Sequence, residues 1–212
     1  MIPKERRIPI LFSVRTQRLL LRPFRCDDAA MFREVVHANA DHLGPIYARV
    51  LGDDPSIDGV IRRVRFMRRV HLLRQSCAFA VFQADESELI GAAGLLFRIG
   101  AGAGEIGYWI SKSHAKRGYA SEAAAALARI GFELHRLRRA EIHTDPTNLA
   151  SIGVARRIGF SEQVTFRAGT LAPDGPVRDA VIWALGREGY LQSAAAANGS
   201  LEAFDRRNRR VL

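Results

Sequence analysis

The chain has 212 residues and carries 32 Lys and Arg against 22 Asp and Glu, a formal net charge of +10. This length predicts one domain with a short tail and disfavours three domains. Hydrophobic residues make up 48% and charged residues 25%, as in an ordinary globular protein. No apolar run approaches the roughly 18 residues of a membrane helix, and the first residues are too polar for a signal peptide. We therefore expect a cytoplasmic protein with no membrane partner.

The two cysteines, Cys26 and Cys77, are isolated and lack the spacing of a metal site. They are interpreted as reduced thiols, and no metal is expected. The positive charge favours an anionic partner, such as nucleic acid, an acidic protein or a phosphorylated cofactor. An arginine-rich composition that aids solubility explains the charge equally well, so charge alone does not decide the function.

Hydrophobic periodicity and turn residues predict the elements of the first half of the chain. They are a strand or strand pair in 10–24, a helix over 28–37 capped by Asp27, a mostly loop segment over 39–54, and a helix from Ser56 or Asp58 to about Arg74. In that second helix Arg62, Arg65 and Arg69 share one face. Such a stripe is either a solvated helix face or a wall that attracts an acidic acceptor.

The second half is predicted to be richer in strands. Its elements are strands over 78–83, 89–97 and 105–110, a helix over 119–135, a strand over 140–144, a helix over 147–157 and a hairpin of 163–171 with 177–185. Gly91 and Gly94 indicate a bulge or a close backbone approach in the second of these strands, and Gly159 fits a left-handed helix cap.

Strands and helices do not alternate throughout, which argues against a doubly wound sheet. The order instead predicts an α+β fold, with a mixed, mostly antiparallel central sheet flanked by helices in a single domain. We place that domain in residues 1–189. Residues 190–212 contain an alanine run and a basic end, and are predicted to form a helical or disordered basic tail.

The most informative stretch is a strand over 104–110 followed by a basic, glycine-containing turn that opens into the helix of 119–135. A strand that leads into a helix N-terminus brings free backbone N–H groups and the positive end of the helix dipole to one point. Such a point binds anions, and phosphate is the usual biological one. Gly118 lacks a side chain, so a ligand can approach its backbone closely.

At five places the sequence resembles the GNAT acyltransferase superfamily, and within it the ribosomal-protein-alanine N-acetyltransferases. These places, which together cover about 16–187, are the 19–24 opening (LLLRPF), 105–110 (EIGYWI) with 117–123 (RGYASEA), 148–151 (NLAS), 158–160 (IGF), and the close from Gly175 to Leu185. The resemblance implies acetyl-CoA as the acyl donor, with its pyrophosphate on the backbone amides of Lys116, Arg117, Gly118, Tyr119 and Ala120. At the position of Ala115 the family pattern has Gln or Arg. The resemblance therefore implies that the pyrophosphate receives less help from this side chain, while its backbone contacts are kept.

The resemblance also implies that the pantetheine arm contacts the backbone of Tyr108, Trp109 and Ile110, in the manner of an added strand, and the side chain of Asn148. A backbone N–H near Ile110 would polarise the thioester carbonyl.

Glu105 is the candidate general base, because an amine at neutral pH must lose a proton before it attacks. Strand alternation places Glu105 on one face with Gly107 and Trp109, where partial burial would raise its pKa. The alternative is that Glu105 pairs with an arginine. Ser151 is the candidate that protonates the CoA thiolate, its alternative role being to satisfy the helix backbone.

Tyr119 is a second candidate proton donor. His114 and His143 are interpreted as structural or solvated histidines rather than bases.

The sequence thus predicts an N-acetyltransferase that moves an acetyl group to a primary amine by direct attack. The favoured acceptor is the N-terminal amine of a protein, and an acidic protein is one candidate. The alternatives are a small amine (aminoglycoside, polyamine or amino acid) and a non-catalytic module that binds RNA or the ribosome. Nucleic acid is a less favoured partner, and a homodimer stays open.

Overall fold

The computed structural model describes residues 8–169, 178–197 and 199–212. Within them the strands are β1 (Ser13–Arg15), β2 (Leu19–Arg22), β3 (Ser76–Gln83), β4 (Leu89–Leu96), β5 (Ala103–Ile110), β6 (Arg139–Thr144), β7 (Ser161–Gly169), β8 (Arg178–Gly186) and β9 (Glu202–Phe204). They form one sheet in the order β7-β8-β6-β5-β4-β3-β2-β1-β9. All neighbours are antiparallel except β5 and β6. The predicted α+β class with a mixed, mostly antiparallel sheet is confirmed.

Helices cover both faces of this sheet. They are α1 (Ala29–Ala38), α2 (Ala40–Leu43), α3 (Tyr47–Leu51), α4 (Ile57–Leu72), α5 (Tyr119–Arg129), α6 (Leu149–Arg157), α7 (Arg187–Leu191) and α8 (Ala194–Ala197). Two of these helices are capped by residue types that favour this position. The side chain of Ser56 accepts the Gly59 N–H before α4, and that of Asn148 accepts the Ser151 N–H before α6. The predicted turn of the last hairpin, 172–175, lies outside the described residues.

Among the helical segments, the following differ from the prediction. The segment 39–54 was expected to be mostly loop and instead contains α2 and α3, whose Leu43 and Leu51 are buried. Helices of four or five residues are too short to show a periodic pattern. The helix expected over 119–135 ends at Arg129 and continues as a π-helical turn to Leu134. The first helix starts at Ala29, and Asp28 rather than Asp27 binds the Arg25 amide.

Two apolar cores lie on opposite faces of the sheet. One lies between the sheet and α5, where Ile106 and Ile110 of β5 are buried. The other lies between the sheet and the α1–α4 layer, where Trp109 of β5 packs beside Phe32 of α1. The predicted alternation of β5 side chains between two faces is therefore confirmed.

β4 carries the irregularity that its glycines indicate. Its pairing with β3 skips Ile90 and shifts register beside Gly91. A Cβ at Gly91 would lie 2.1 Å from the Trp109 carbonyl oxygen, so β4 and β5 approach too closely there for a side chain. Gly159, with φ +95°, is in the left-handed conformation expected of it.

The parallel contact between β5 and β6 is short. Within the described chain, the two strands pair from Ala103 with Arg139 as far as Glu105 with Glu141. β5 continues to residue 110 and β6 to residue 144 without further pairing to each other. We call the gap between 106–110 of β5 and 142–144 of β6 the fork.

The C-terminal segment packs on the rest of the fold. β9 pairs with β1 at the edge of the sheet, and Ala195, Leu201 and Ala203 are buried in the core on the α5 side. The segment predicted as a helical or disordered basic tail thus contains a short helix and a strand. The boundary at residue 189 remains a prediction.

No helix among the described residues combines the length and the apolar character that a membrane crossing requires.

Candidate active site

The backbone of β5 directs some of its polar groups into the fork. Ser111 donates its N–H to the Ile90 carbonyl of β4 at 2.7 Å. Because successive strand residues direct their amides to opposite sides, the N–H and C=O groups of Tyr108 and Ile110 are directed away from β4, toward β6. His42 contacts the Ile110 carbonyl from that side at 3.2 Å. The fork therefore has the free strand edge that an amide-containing ligand needs.

A turn with two left-handed residues lies between the end of β5 and α5. Lys116 and Gly118 have φ of +61° and +84°. Successive amides in such alternating conformations form a concave site for anions, and the first N–H groups of α5 lie beside it. Of the residues predicted to hold the pyrophosphate, 116–118 form this turn, and Tyr119 and Ala120 begin α5.

Glu122 connects this turn to residues 16–18, which lie between β1 and β2. Its buried carboxylate accepts bonds from the Thr16 hydroxyl at 2.7 Å and from the Arg18 N–H and Nε at 2.9 and 2.7 Å. The Arg18 guanidinium also donates to the Arg117 carbonyl at 2.9 Å. A cation thus lies within the predicted pyrophosphate turn, although Ala115 supplies none.

A pocket of about 230 Å³ opens beside the same turn. Arg18, Arg157 and Glu122 line it, together with residues 199–201. Because Glu122 pairs with Arg18, Arg157 is the lining arginine that remains available for a phosphate group.

Glu105 lies at the point where β5 and β6 separate. It is 7% exposed, and its two carboxylate oxygens accept bonds of 2.8 Å from Nε and Nη2 of Arg98. Arg98 lies two residues after the end of β4. Pairing with an arginine was the alternative to a role as base. The two are compatible, because an ionised carboxylate has about four acceptor positions and Arg98 occupies two of them.

His143, interpreted from the sequence as structural or solvated, lies beside Glu105. Its Nε2 lies 2.6 Å from Oε2 of Glu141, and its Nδ1 lies 3.9 Å from Oε2 of Glu105. Glu141 also forms an ion pair with Arg139. Glu141 and His143 are two apart in a predicted strand, so alternation alone places them on one face and could have revealed the pair.

The other side of β5 carries a pair of hydroxyl groups. The Tyr108 hydroxyl lies 2.9 Å from Oγ of Ser151, which belongs to the first turn of α6. Burial raises the pKa of Tyr108 to about 12, against the opposing effect of the Ser151 bond, so the phenol keeps its proton at neutral pH. Asn148 uses its side-chain oxygen to cap α6 at the Ser151 N–H, 3.0 Å away, which leaves its NH₂ group able to donate elsewhere.

Open space lies beside Gly107, between Glu105 and Trp109 on one face of β5. A Cβ at Gly107 would meet no atom within 4 Å, although Glu105 and Trp109 on the same face are buried. The ring N–H of Trp109 is buried and has no partner among the described residues. The face of β5 that carries Glu105 thus has room for a ligand at Gly107.

Two other features have structural explanations. Nδ1 of His114 lies 2.9 Å from the Ser111 hydroxyl, and its Nε2 lies 3.4 Å from Glu88, so it is not part of the fork. On α4, Arg62 pairs with Asp54, whereas the exposed Arg65 and Arg69 follow the predicted stripe.

No group of three or more metal-ligating side chains is arranged for a metal ion in the described part of the chain.

A model of the family described as Acetyltransferase (GNAT) domain matches residues 18–161. The curated "Uncharacterized N-acetyltransferase p20" of Bacillus licheniformis is 26% identical over 155 residues, which are 72% of this chain and 84% of that protein.

Solved structures agree in fold over most of the chain. "Mycobacterium smegmatis RimJ in complex with CoA-disulfide" is 26% identical with a TM-score of 0.71, and the matched region covers 88% of this chain and 91% of the RimJ chain. A "putative ribosomal-protein-serine acetyltransferase from Vibrio cholerae" is 25% identical with a TM-score of 0.70 and covers 82% and 97%. The resemblance inferred from the motifs is confirmed: the chain belongs to the GNAT acetyltransferase family and is an acetyl-CoA-dependent N-acetyltransferase.

Proposed function

We propose that this enzyme acetylates the N-terminal amine of a protein by direct attack within a complex that holds both substrates. The observation that carries the proposal is the position of Glu105, a buried carboxylate at the base of the fork, across β5 from the Tyr108–Ser151 hydroxyl pair. A proton acceptor and a proton-donating pair are therefore available on the two faces of the strand that borders the fork. The RimJ-like and ribosomal-protein-serine acetyltransferase-like folds support a protein acceptor.

Acetyl-CoA would be held mainly by backbone groups. The amides of 116–120 suit its pyrophosphate, because two left-handed residues and a helix N-terminus turn several N–H groups toward one point. The Tyr108 and Ile110 backbone groups that face the fork suit the amides of the pantetheine arm, whereas those of Trp109 face β4. The Asn148 NH₂ group can donate to the same arm. Arg18 supplies a positive charge near the phosphates.

Glu105 is the proposed general base. It would accept a proton from the attacking ammonium, either directly or through one water molecule, and the Ile110 N–H would stabilise negative charge on the thioester oxygen. Ser151 is the proposed donor to the departing thiolate, and Tyr108 is its hydrogen-bonded neighbour. Cys77 lies on β3, and burial raises the pKa of its thiol to about 12, so it is a poor nucleophile at neutral pH.

A polycationic small amine is the less favoured acceptor. Such a ligand requires an acidic cleft, and the acidic cluster of the sequence is Asp41, Asp53, Asp54 and Asp58. Asp54 is engaged within the fold: it accepts the Ser56 N–H at 2.9 Å and pairs with Arg62. The exposed arginines of α4 favour an acidic acceptor instead.

The test is an acceptor panel read by release of free CoA thiol. The panel contains short peptides that begin with Ala, Ser or Thr and have acidic or basic continuations, matched N-formyl peptides, spermidine and an aminoglycoside. Turnover of unblocked peptides, with acidic ones preferred, is expected. A preference for spermidine or the aminoglycoside over every peptide would overturn the proposal.

A further inference from the structure

Conversion of an ammonium into an amide removes two protons from one nitrogen. The overall change is R–NH₃⁺ + acetyl-S-CoA → R–NH–acetyl + HS-CoA + H⁺. The first proton leaves before the nitrogen attacks, and the second leaves after the C–N bond has formed, when the nitrogen is again cationic. A single carboxylate must release the first proton before it can take the second.

The base of the fork holds two side chains that can accept these protons. We propose that His143 is a second proton acceptor and works with Glu105 on the same nitrogen; this rests on the proposed function of the fork. Nδ1 of His143 and Oε2 of Glu105 face each other across 3.9 Å, one from β6 and one from β5.

Glu141 determines which ring nitrogen is free. An ionised carboxylate only accepts hydrogen bonds, so the 2.6 Å contact from Nε2 of His143 to Oε2 of Glu141 places the ring proton on Nε2. In the neutral imidazole Nδ1 then carries the lone pair. Glu141 is itself held by Arg139. It is a positioning residue that also stabilises the imidazolium formed when Nδ1 accepts a proton.

The distance suits one nitrogen between the two acceptors. Two acceptors 3.9 Å apart have no hydrogen to share, which leaves both free to accept bonds from one donor placed between them. A nitrogen about 2.8 Å from each would subtend roughly 90°, not far from the angle between two N–H bonds of an amine. A primary amine can thus donate to both groups and keep its lone pair for the thioester carbon.

The surroundings support a site rather than a packed core. The side chains of His143 and Glu105 are each 10% exposed, so a small group can reach them. The open space at Gly107 lies on the same face of β5. The charged side chains around the histidine are Glu105, Glu141, Arg98 and Arg139.

Glu105 and His143 then act at different steps of the reaction. Glu105 takes the first proton, the amine nitrogen attacks, and Nδ1 of His143 takes the second proton as the tetrahedral adduct collapses. The C–S electron pair leaves as thiolate and receives a proton from the hydroxyl pair at Ser151. Glu105 and His143 each release their proton to solvent and the hydroxyl pair takes one proton back, so one proton is released per turnover, as the overall equation requires.

The test compares His143→Gln with the parent enzyme, using whichever primary amine of the acceptor panel is turned over fastest. Glutamine keeps a hydrogen-bonding side chain but cannot accept a proton. We expect kcat to fall by about 100-fold or more, with the affinity for CoA and the melting temperature nearly unchanged. His135→Gln is the control, because it alters a half-buried histidine outside the fork and should keep kcat. A His143→Gln enzyme that retains more than half of the parent kcat would overturn the proposal.

A second measurement does not depend on turnover. Nitrogen-15 NMR of the free protein at pH 7 should show His143 with a protonated Nε2 and an unprotonated Nδ1, and Glu141→Ala should change that tautomer. A proton on Nδ1 in the parent protein at pH 7 would contradict the inference even if the acceptor class proves to be wrong. Failure of the acceptor panel alone would overturn only the choice of a protein N-terminus, since every primary amine must lose two protons.

Discussion

Arg98 holds both oxygens of Glu105: its Nε lies 2.8 Å from Oε2 and its Nη2 lies 2.8 Å from Oε1. A bidentate pair of this kind fixes the plane of the carboxylate as well as its position. The same bonds are the main reason that the pKa of Arg98 lies above its ordinary value, although partial burial opposes them. Glu105 is therefore presented to the fork in one orientation, with part of its acceptor capacity free.

Gly118→Asp should abolish the binding of CoA. Gly118 has φ +84°, a conformation that Asp tolerates better than most residues, so the fold should survive. The added carboxylate would lie among the amides that are expected to hold the pyrophosphate and would repel it. Calorimetry with CoA should show at least about a hundredfold loss of affinity. Gly153→Asp, on exposed α6 surface with no atom within 4 Å of the new Cβ, is the matched control. Equal CoA affinity in both variants would remove this turn as the phosphate site.

Gly107→Val should block the acceptor and leave the donor site intact. The new side chain enters open space on the Glu105 face, and valine suits a strand. We expect the KM for the acceptor to rise by about tenfold or more while CoA affinity and the melting temperature stay close to those of the parent. Steady-state kinetics with each substrate varied in turn would measure this. Gly186→Val also meets no atom within 4 Å and serves as the control; an unchanged acceptor KM in Gly107→Val would place the acceptor elsewhere.

The α5-side half of the candidate site was the easier half to predict, because its signals are local. The alternation of β5 side chains and the close backbone approach at Gly118 each depend on residues within one strand or turn. A glycine in a turn carries its conformational preference with it. The Asn148 cap was not predicted, although an asparagine before a helix favours that position.

The Glu105 side depends on contacts that no local pattern contains. Arg98 reaches Glu105 around the β4–β5 hairpin, and His143 meets it through the parallel pairing of strands whose facing residues, Glu105 and Glu141, are 36 positions apart. The register of that pairing is set by the whole sheet. The strand β9 was missed for the same reason, since its three residues become a strand by pairing with β1.

Tyr108→Phe and Ser151→Ala should each slow the departure of the thiolate. Their hydroxyls are 2.9 Å apart, and the pKa of Tyr108 is raised to about 12 by burial, so the phenol is a proton donor across the working pH range. We expect a fall in kcat of about 10-fold or more for Ser151→Ala, with CoA affinity retained. The two changes should be less than additive, because each disrupts the same hydrogen bond. Full additivity, or parental kcat in both single variants, would argue that the pair is structural.

The protein should lose stability between pH 6.5 and pH 4. Burial, with a smaller contribution from nearby His71, lowers the pKa of His135 to about 4, whereas an unfolded histidine has a pKa near 6.5. Between these pH values the unfolded chain binds more protons than the folded one, so the free energy of unfolding falls as the pH falls. The stability that depends on a neutral His135 is fully present above about pH 6.5. At pH 5 the loss is about 2 kcal/mol at most.

Urea denaturation at pH 7.5 and pH 5.0 would measure this loss. His135→Phe keeps an aromatic ring beside Phe97, whose ring centroid lies 4.7 Å from that of His135, and removes the titrating group. Its stability should therefore depend less on pH than that of the parent. An identical pH dependence in the two proteins would assign the acid sensitivity to other groups, such as His71, whose pKa is also lowered by burial.

The most direct test of the central claim is the single-turnover rate of acetyl transfer by Glu105→Gln, with the acceptor that the parent enzyme uses best. Glutamine is isosteric, still binds Arg98 through its carbonyl oxygen, and cannot take a proton from the amine. The fork mechanism predicts a rate at least about a hundredfold below that of the parent, with unchanged affinity for CoA. A Glu105→Gln enzyme that transfers the acetyl group at the parental rate would contradict it.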